Sequence, residues 1–258
     1  MPDEGKEYQS VEYKGGIKLE PLIDVKGLCK TYIVNKYSNN VLRNIDFTLD
    51  EGEFVTIMGP SGSGKSTMLY TIIGMDRATA GDISFMGKSY AGMKDSEMAK
   101  IRLVSMGFIF QQMYMMRKLC ILDNILLPGF HAGLLERKQV REEAEMLMRR
   151  LDIMEIADNE INEVSGGQLQ RACLCRALIN HPKVLFADEP TGALNSKAAG
   201  EVVNELVKVN RDGTAVMMVT HSARVAAASD KVIYLIDGHI VGSIELGKLK
   251  DEADSLKK

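Results

Sequence analysis

The run Gly59-Pro60-Ser61-Gly62-Ser63-Gly64-Lys65-Ser66-Thr67 fits the pattern G-x-x-x-x-G-K-[ST], whose chemistry is phosphate binding. Its glycines let backbone N–H groups turn inward around phosphate oxygens. A helix opening directly after the loop adds the positive end of its dipole. Lys65 supplies a point charge for the β- and γ-phosphates, and the Ser66 hydroxyl suits Mg2+. The apolar run Phe54-Val55-Thr56-Ile57-Met58 before the loop reads as a strand, and Met68-Leu69-Tyr70-Thr71-Ile72-Ile73 after it reads as a helix. Strand, loop and helix therefore come in the order that this chemistry requires.

A second group with chemical potential is Asp188-Glu189-Pro190. Asp188 follows the apolar run Val184-Leu185-Phe186-Ala187, where a carboxylate can serve Mg2+. Glu189, one residue on, can orient or polarise a water beside a γ-phosphate. Taken alone, the triplet reads better as the cap of a strand; the phosphate loop turns the reading towards chemistry. A third apolar run, Ala215-Val216-Met217-Met218-Val219, ends in Thr220-His221. In open α/β sheets ligands lie beyond the carboxyl ends of the strands, so these three ends are expected to converge on one site. The guanine-reading N-K-x-D pattern is missing, because Asn35-Lys36-Tyr37-Ser38 lacks its aspartate, which argues against a GTPase.

The elements that must position these groups are legible in outline. Val140, Ala144, Leu147, Met148 and Leu151 follow the spacing of an amphipathic helix. Ala199, Val202, Val203 and Leu206 mark another, closed by Asp212-Gly213. Hairpins are expected at Met86-Gly87-Lys88 and at Asp237-Gly238. The stretch from Gln111 to Arg176 carries helical patterns and no convincing strand, so residues 112–176 read as a helical insertion. Residues 1–20 read as a poorly ordered polar tail without a signal-peptide pattern, residues 21–247 as one domain, and residues 248–258 as a second tail.

The 258 residues are 45% hydrophobic and 26% charged, with a formal net charge of −3, which is globular composition. Scattered Lys and Arg with a slight negative excess argue against a nucleic-acid partner. No uncharged apolar stretch reaches the roughly 18 residues of a membrane span. Cys29, Cys120, Cys173 and Cys175 show no metal-binding spacing and read as small hydrophobes in a reducing compartment.

Val164-Ser165-Gly166-Gly167-Gln168 opens a further helix, with Leu169, Cys173 and Ala177 on its apolar side. Free N–H groups at such a start form a second anion site; the same residues also read as an ordinary cap. Ser165-Gly166-Gly167-Gln168, then Leu169-Gln170-Arg171-Ala172, an apolar strand and Asp188-Glu189-Pro190 together resemble the signature of ABC ATPases. The resemblance covers roughly residues 22–245. It implies an α/β fold: a P-loop NTPase core with an antiparallel β subdomain and an inserted helical subdomain. It implies ATP and Mg2+ as ligands and ATP hydrolysis as the activity. It implies that Tyr32 stacks on adenine, that Gln111 meets Mg2+ and a membrane partner (Gln112 being the lesser candidate), and that His221 bonds the γ-phosphate. It further implies a head-to-tail homodimer, or a pairing with a close relative. Each ATP then lies between one chain's P-loop and the other chain's Ser165-Gly166-Gly167. Where the family shows A-L-D, this chain has Ala193-Leu194-Asn195, which puts in doubt how the two sites communicate.

Ala187–Gly192, Gly52–Gly59 and Leu122–Pro128 are similar to the branch serving macrolide export, lipoprotein release and antimicrobial-peptide resistance. That implies an FtsX-like permease partner at the inner face of the cell membrane. Asn195 and an Ile33–Val41 loop resemble the peptide-resistance members of Gram-positive bacteria. Met113, Tyr114, Met115 and Met116 stand where the family docks a permease helix; they read equally as core. Two other readings stay open: an ABC protein acting on DNA or ribosomes, and a non-transport ATP clamp regulating cell-wall or division machinery.

Overall fold

The computed structural model describes residues 20–246 except Ala193; residues 1–19 of the first expected tail and all of the second lie outside the described residues. A four-stranded antiparallel sheet is built from β1 (Ile23–Val34), β2 (Tyr37–Leu49), β4 (Ala80–Phe85) and β5 (Lys88–Ser89) in the order β2-β1-β4-β5. A six-stranded sheet takes β3 (Phe54–Met58), β6 (Met106–Ile109), β7 (Val184–Asp188), β8 (Ala215–Val219), β9 (Lys231–Ile236) and β10 (His239–Glu245) in the order β10-β9-β3-β8-β7-β6. β3 runs parallel to β8 and β9, and β7 runs parallel to β6 and β8.

The central runs of β3, β7 and β8 are wholly buried because both faces are covered. Phe54, Leu185, Ala187, Val216 and Met218 point to one core, shared with α3 (Ile121–Ala132), α4 (Arg137–Arg150), α5 (Gly166–Leu178) and α6 (Ser196–Arg211). Val55, Ile57, Val184, Phe186, Met217 and Val219 point to the other, shared with α1 (Lys65–Ile72) and the antiparallel sheet. Strand alternation thus divides each run between two cores. Between α2 (Asp95–Ser105) with β6 and strand β7, the chain carries α3, α4, a 3-10 turn at Met154–Ile156 and α5. Val140, Ala144, Leu147 and Met148, the stripe read from spacing, are the buried residues of α4. A short α7 (Ala223–Ala226) follows β8. Burial pushes the Cys173 thiol up to about 11 and raises that of Cys175 as well, in keeping with packing roles.

Both expected hairpins are present, β4–β5 and β9–β10. The loop expected over Ile33–Val41 is not. β1 and β2 pair up to Val34↔Tyr37, joined by Asn35 and Lys36 at φ +51° and +69°, the two-residue geometry that matches strand twist. The strand ends stand free of either core, with Ile33 and Tyr37 about four-fifths exposed. No in-out alternation therefore marked them as strand, and Lys in a left-handed position is not a turn signal.

Candidate nucleotide site

The phosphate loop begins where β3 ends. Gly59 has φ +153°, and a Cβ there would sit 2.0 Å from the Leu235 carbonyl oxygen of β9. Gly64 has φ +100°, and its Cβ would sit 2.9 Å from the Val41 carbonyl oxygen. Neighbouring backbone thus fixes two glycines of the motif. Gly64 caps α1 without a side-chain bond, so the first N–H groups of the helix are left for an anion. Ser63 is buried below the loop, and its carbonyl accepts from the Gly238 amide.

Lys65 is nearly buried, and its Nζ donates to the Gly59 and Pro60 carbonyls at 3.0 and 2.8 Å. Ser66 Oγ donates to Asp188 Oδ1 at 3.0 Å, and the Tyr70 hydroxyl donates to Asp188 Oδ2 at 2.8 Å. Ser66 and Tyr70 share a face of α1 because they are four residues apart. Burial, and then the carboxylate beside it, pushes the Tyr70 phenol up, so it remains a donor well above neutral pH.

A cleft of about 740 Å3 is lined by Val41, Ser61, Gly62, Gly64, Lys65, Ser66, Thr67, Gln111, Glu189 and His221. The three strand ends meet here because β3, β8 and β7 are consecutive in the sheet. Gln111 arrives from β6, paired with β7 through Ile109↔Ala187. Gln112 does not line the cleft. Glu189 takes φ +46°, a left-handed conformation uncommon outside glycine and of the kind found at functional sites. Its amide donates to the Val219 carbonyl at 3.0 Å. Its Oε2 lies 3.0 Å from His221 Nδ1.

Tyr32 stands beside this cleft without lining it. Its hydroxyl donates to Asp76 Oδ2 and meets the Thr67 side chain. Lys30 Nζ lies 4.7 Å from the ring centroid and 2.5 Å from Asp76 Oδ1. Burial raises the Asp76 carboxyl, but the Lys30 and Tyr32 bonds outweigh it and hold the group below its usual range.

Ser165, Gly166, Gly167 and Gln168 are not brought to the cleft. Ser165 caps α5: its Oγ accepts from the Gln168 amide, and Gln168 Oε1 accepts from the Ser165 amide at 3.0 Å. Gln168 Nε2 continues to Glu155 Oε1 at 3.3 Å. Ser165 and Gly166 are exposed, so this helix start faces outward. Asn195 caps the adjacent α6, its Oδ1 accepting from the Ala198 amide at 3.0 Å.

The family model for ABC transporters matches residues 42–192, a span that holds the phosphate loop, the α5 start and Glu189. The chain belongs to the ABC transporter family. The lipoprotein-releasing system ATP-binding protein LolD 2 from Rhodospirillum rubrum is 38% identical over 223 residues, covering 86% of this chain and 96% of the relative. The macrolide export ATP-binding/permease protein MacB of Psychrobacter arcticus is 39% identical over 222 residues, covering 86% of this chain. The match takes in 33% of that longer protein. The ATP-binding cassette MJ0796 of Methanocaldococcus jannaschii, solved as a post-hydrolysis dimer bound to ADP and Pi, superposes with a TM-score of 0.82. That pair is 37% identical, with 87% of this chain and 98% of the other covered. This chain is an ATP-binding, ATP-hydrolysing subunit of the ABC type.

Within this ABC subunit, three residues near the site escaped sequence reading: Tyr70, Asp76 and Lys30. Tyr70 was within reach, since it lies one helical turn after Ser66. The Lys30–Asp76–Tyr32 cluster crosses from β1 to the loop after α1 and left no local signal. The Met113–Met116 segment is split: Met116 and Tyr114 are exposed, Met113 is half-buried, and half-buried Met115 packs against the core beside α3 to α5. Asn124, buried in α3, holds both the Met116 amide and its carbonyl. Among the described residues, no helix is long and apolar enough to cross a membrane.

Proposed function

We propose that the chain hydrolyses ATP with Mg2+ as one member of a head-to-tail pair, at the cytoplasmic face of the membrane, and energises an FtsX-like permease for export or mechanotransmission. The observation that carries the reading is the separation of the two helix starts read as anion sites. One opens α1 inside the cleft, and the other opens α5 outside it. Each chain holds one of each, so a second chain is needed to bring them onto one nucleotide. The dimeric cassette with ADP and Pi supports this pairing.

The oxygen donors fit Mg2+: the Ser66 hydroxyl and the Gln111 amide oxygen line the cleft, and the Asp188 carboxylate, which does not line it, lies directly behind Ser66. Asp188 is 2% exposed and makes no ion pair among the described residues, which leaves a buried negative charge for a cation to balance. When bound, Mg2+ neutralises phosphate charge. Lys65 and the α1 amides hold the phosphates, with Ser61, Gly62, Ser63 and Thr67 shaping the cradle. Tyr32 presents its ring to adenine, with Asp76 and Lys30 holding it. Glu189 orients water, and His221, already against Glu189, steadies the γ-phosphate. Ser165, Gly166, Gly167 and Gln168 serve the nucleotide of the partner.

The macrolide-export and lipoprotein-releasing relatives support export. The exposed Tyr114, which lines an apolar hollow with Phe108, Phe110 and Pro128, and the exposed Met116 support permease docking after Gln111. The test is to purify the tagged chain from detergent-solubilised membranes and identify what accompanies it. An FtsX-like permease is expected; nucleic acid in its place would overturn the reading.

Asn195→Asp isolates the departure from the family's A-L-D. Asp caps as well as Asn, and its charge near the start of α6 adds about 0.3–1 kcal/mol of helix stability. The fold is therefore kept, and the expected change is in ATPase rate or Hill slope. If both stay at wild-type values, Asn195 has no part in communication between the sites.

A further inference from the structure

We propose that Tyr70 is a positioning residue that fixes Asp188 and, through its ring, ties that carboxylate to the loop leaving Gln111. The inference rests on the proposed roles of Asp188 and of the Gln111 loop. Two protein groups hold the Asp188 carboxylate, one on each oxygen: Ser66 Oγ on Oδ1 and the Tyr70 hydroxyl on Oδ2. Ser66 lines the cleft and Tyr70 does not. Asp188 does not line it either, so Ser66 is its link to the cleft and the Tyr70 bond holds the other oxygen within the protein.

The Tyr70 ring lies 6.4 Å from that of Phe110, tilted by 52°. Phe110 immediately precedes Gln111. Its opposite contact is Tyr114, edge-on at 5.4 Å. Phe108, next inward along β6, stacks on Phe110 at 5.9 Å. Beyond Phe110 the backbone is clamped from α5, where Arg176 donates to the carbonyls of Tyr114 and Met113, both at 2.8 Å. Tyr114 itself sits at φ +44°. The loop is thus held at one end by rings that lead to Asp188. At the other it is held by the last turn of the helix whose first turn is Ser165–Gly167. A shift of Asp188 moves the Tyr70 hydroxyl, and the ring packed on Phe110 must follow, because close-packed contacts do not deform freely. Breaking the two links separately tests whether they carry coupling.

Tyr70→Phe removes only the hydroxyl, and Phe110→Leu removes only the ring contact. In the full chain, the Mg2+ concentration for half-maximal ATPase is expected to rise about fivefold in Tyr70→Phe, the effect of one lost hydrogen bond, with the rate at saturating Mg2+ kept within about twofold. Phe110→Leu is expected to keep the wild-type Mg2+ requirement. Hydrogen exchange over residues 106–118 is read with and without the β,γ-imido analogue of ATP plus Mg2+. Wild type is expected to change on adding nucleotide, and both variants to lose most of that change. A double variant no worse than either single one supports one serial link. An unaltered Mg2+ requirement and exchange response in Tyr70→Phe overturns the proposal. An altered requirement with an unaltered response overturns the tie to the loop. A wild-type loop that ignores nucleotide overturns that tie together with the role proposed for the Gln111 loop, which separates the two failures.

Discussion

Glu189→Gln is expected to slow ATP hydrolysis by about 10²–10⁴-fold, the range for loss of a positioned general base, while ATP binding persists and a nucleotide-bound dimer accumulates. Glu189 follows β7 directly, and its φ of +46° carries it into the cleft beside His221. Gln has the same shape and can bond His221 Nδ1 through either its amide oxygen or its amide nitrogen, so that 3.0 Å contact survives whichever tautomer is present. What is lost is the charge and the basicity that act on water. Because a carboxylate beside phosphate repels it, its removal favours the bound state. Phosphate release and size-exclusion chromatography with ATP check both halves of the expectation. Turnover within tenfold of wild type would refute the role given to Glu189.

Lys65→Met is expected to weaken ATP binding by roughly 10- to 100-fold, from about 1.5–3 kcal/mol for a hydrogen bond to a charged group. The lower part of that range is favoured by the free state. There Nζ is already bonded to the Gly59 and Pro60 carbonyls, and phosphate must compete with those bonds. The same fact limits the structural cost: Met fills similar volume and removes a nearly buried charge, at the expense of two carbonyls losing a donor. A melting temperature within a few degrees of wild type should accompany the loss of affinity. Titration calorimetry measures the binding, and an affinity within twofold of wild type would remove Lys65 from the phosphate site.

Much of the site was legible because its geometry is local. A glycine loop between a strand and a helix must present amides to an anion, whatever surrounds it. Ser165 and Gln168, three apart, satisfy each other across a helix start, and that pairing is found. The nearly all-apolar runs of β3, β7 and β8 announced strands covered on both faces. The β1–β2 hairpin was not legible, because its far end touches no core and so carries no alternation. Tyr70 was read as part of a helix, but nothing local told that its hydroxyl would meet a carboxylate 118 positions away.

The sequence by itself determined the phosphate loop, the carboxylate after a buried strand and the capped second anion site, because each is a demand of backbone and neighbouring residues. Only the tertiary structure decided which strands lie side by side. That order follows from burying two faces of one sheet against different partners. It sets Glu189 against His221 and Asp188 between Ser66 and Tyr70. It also leaves Ser165–Gly167 facing away from the cleft of its own chain.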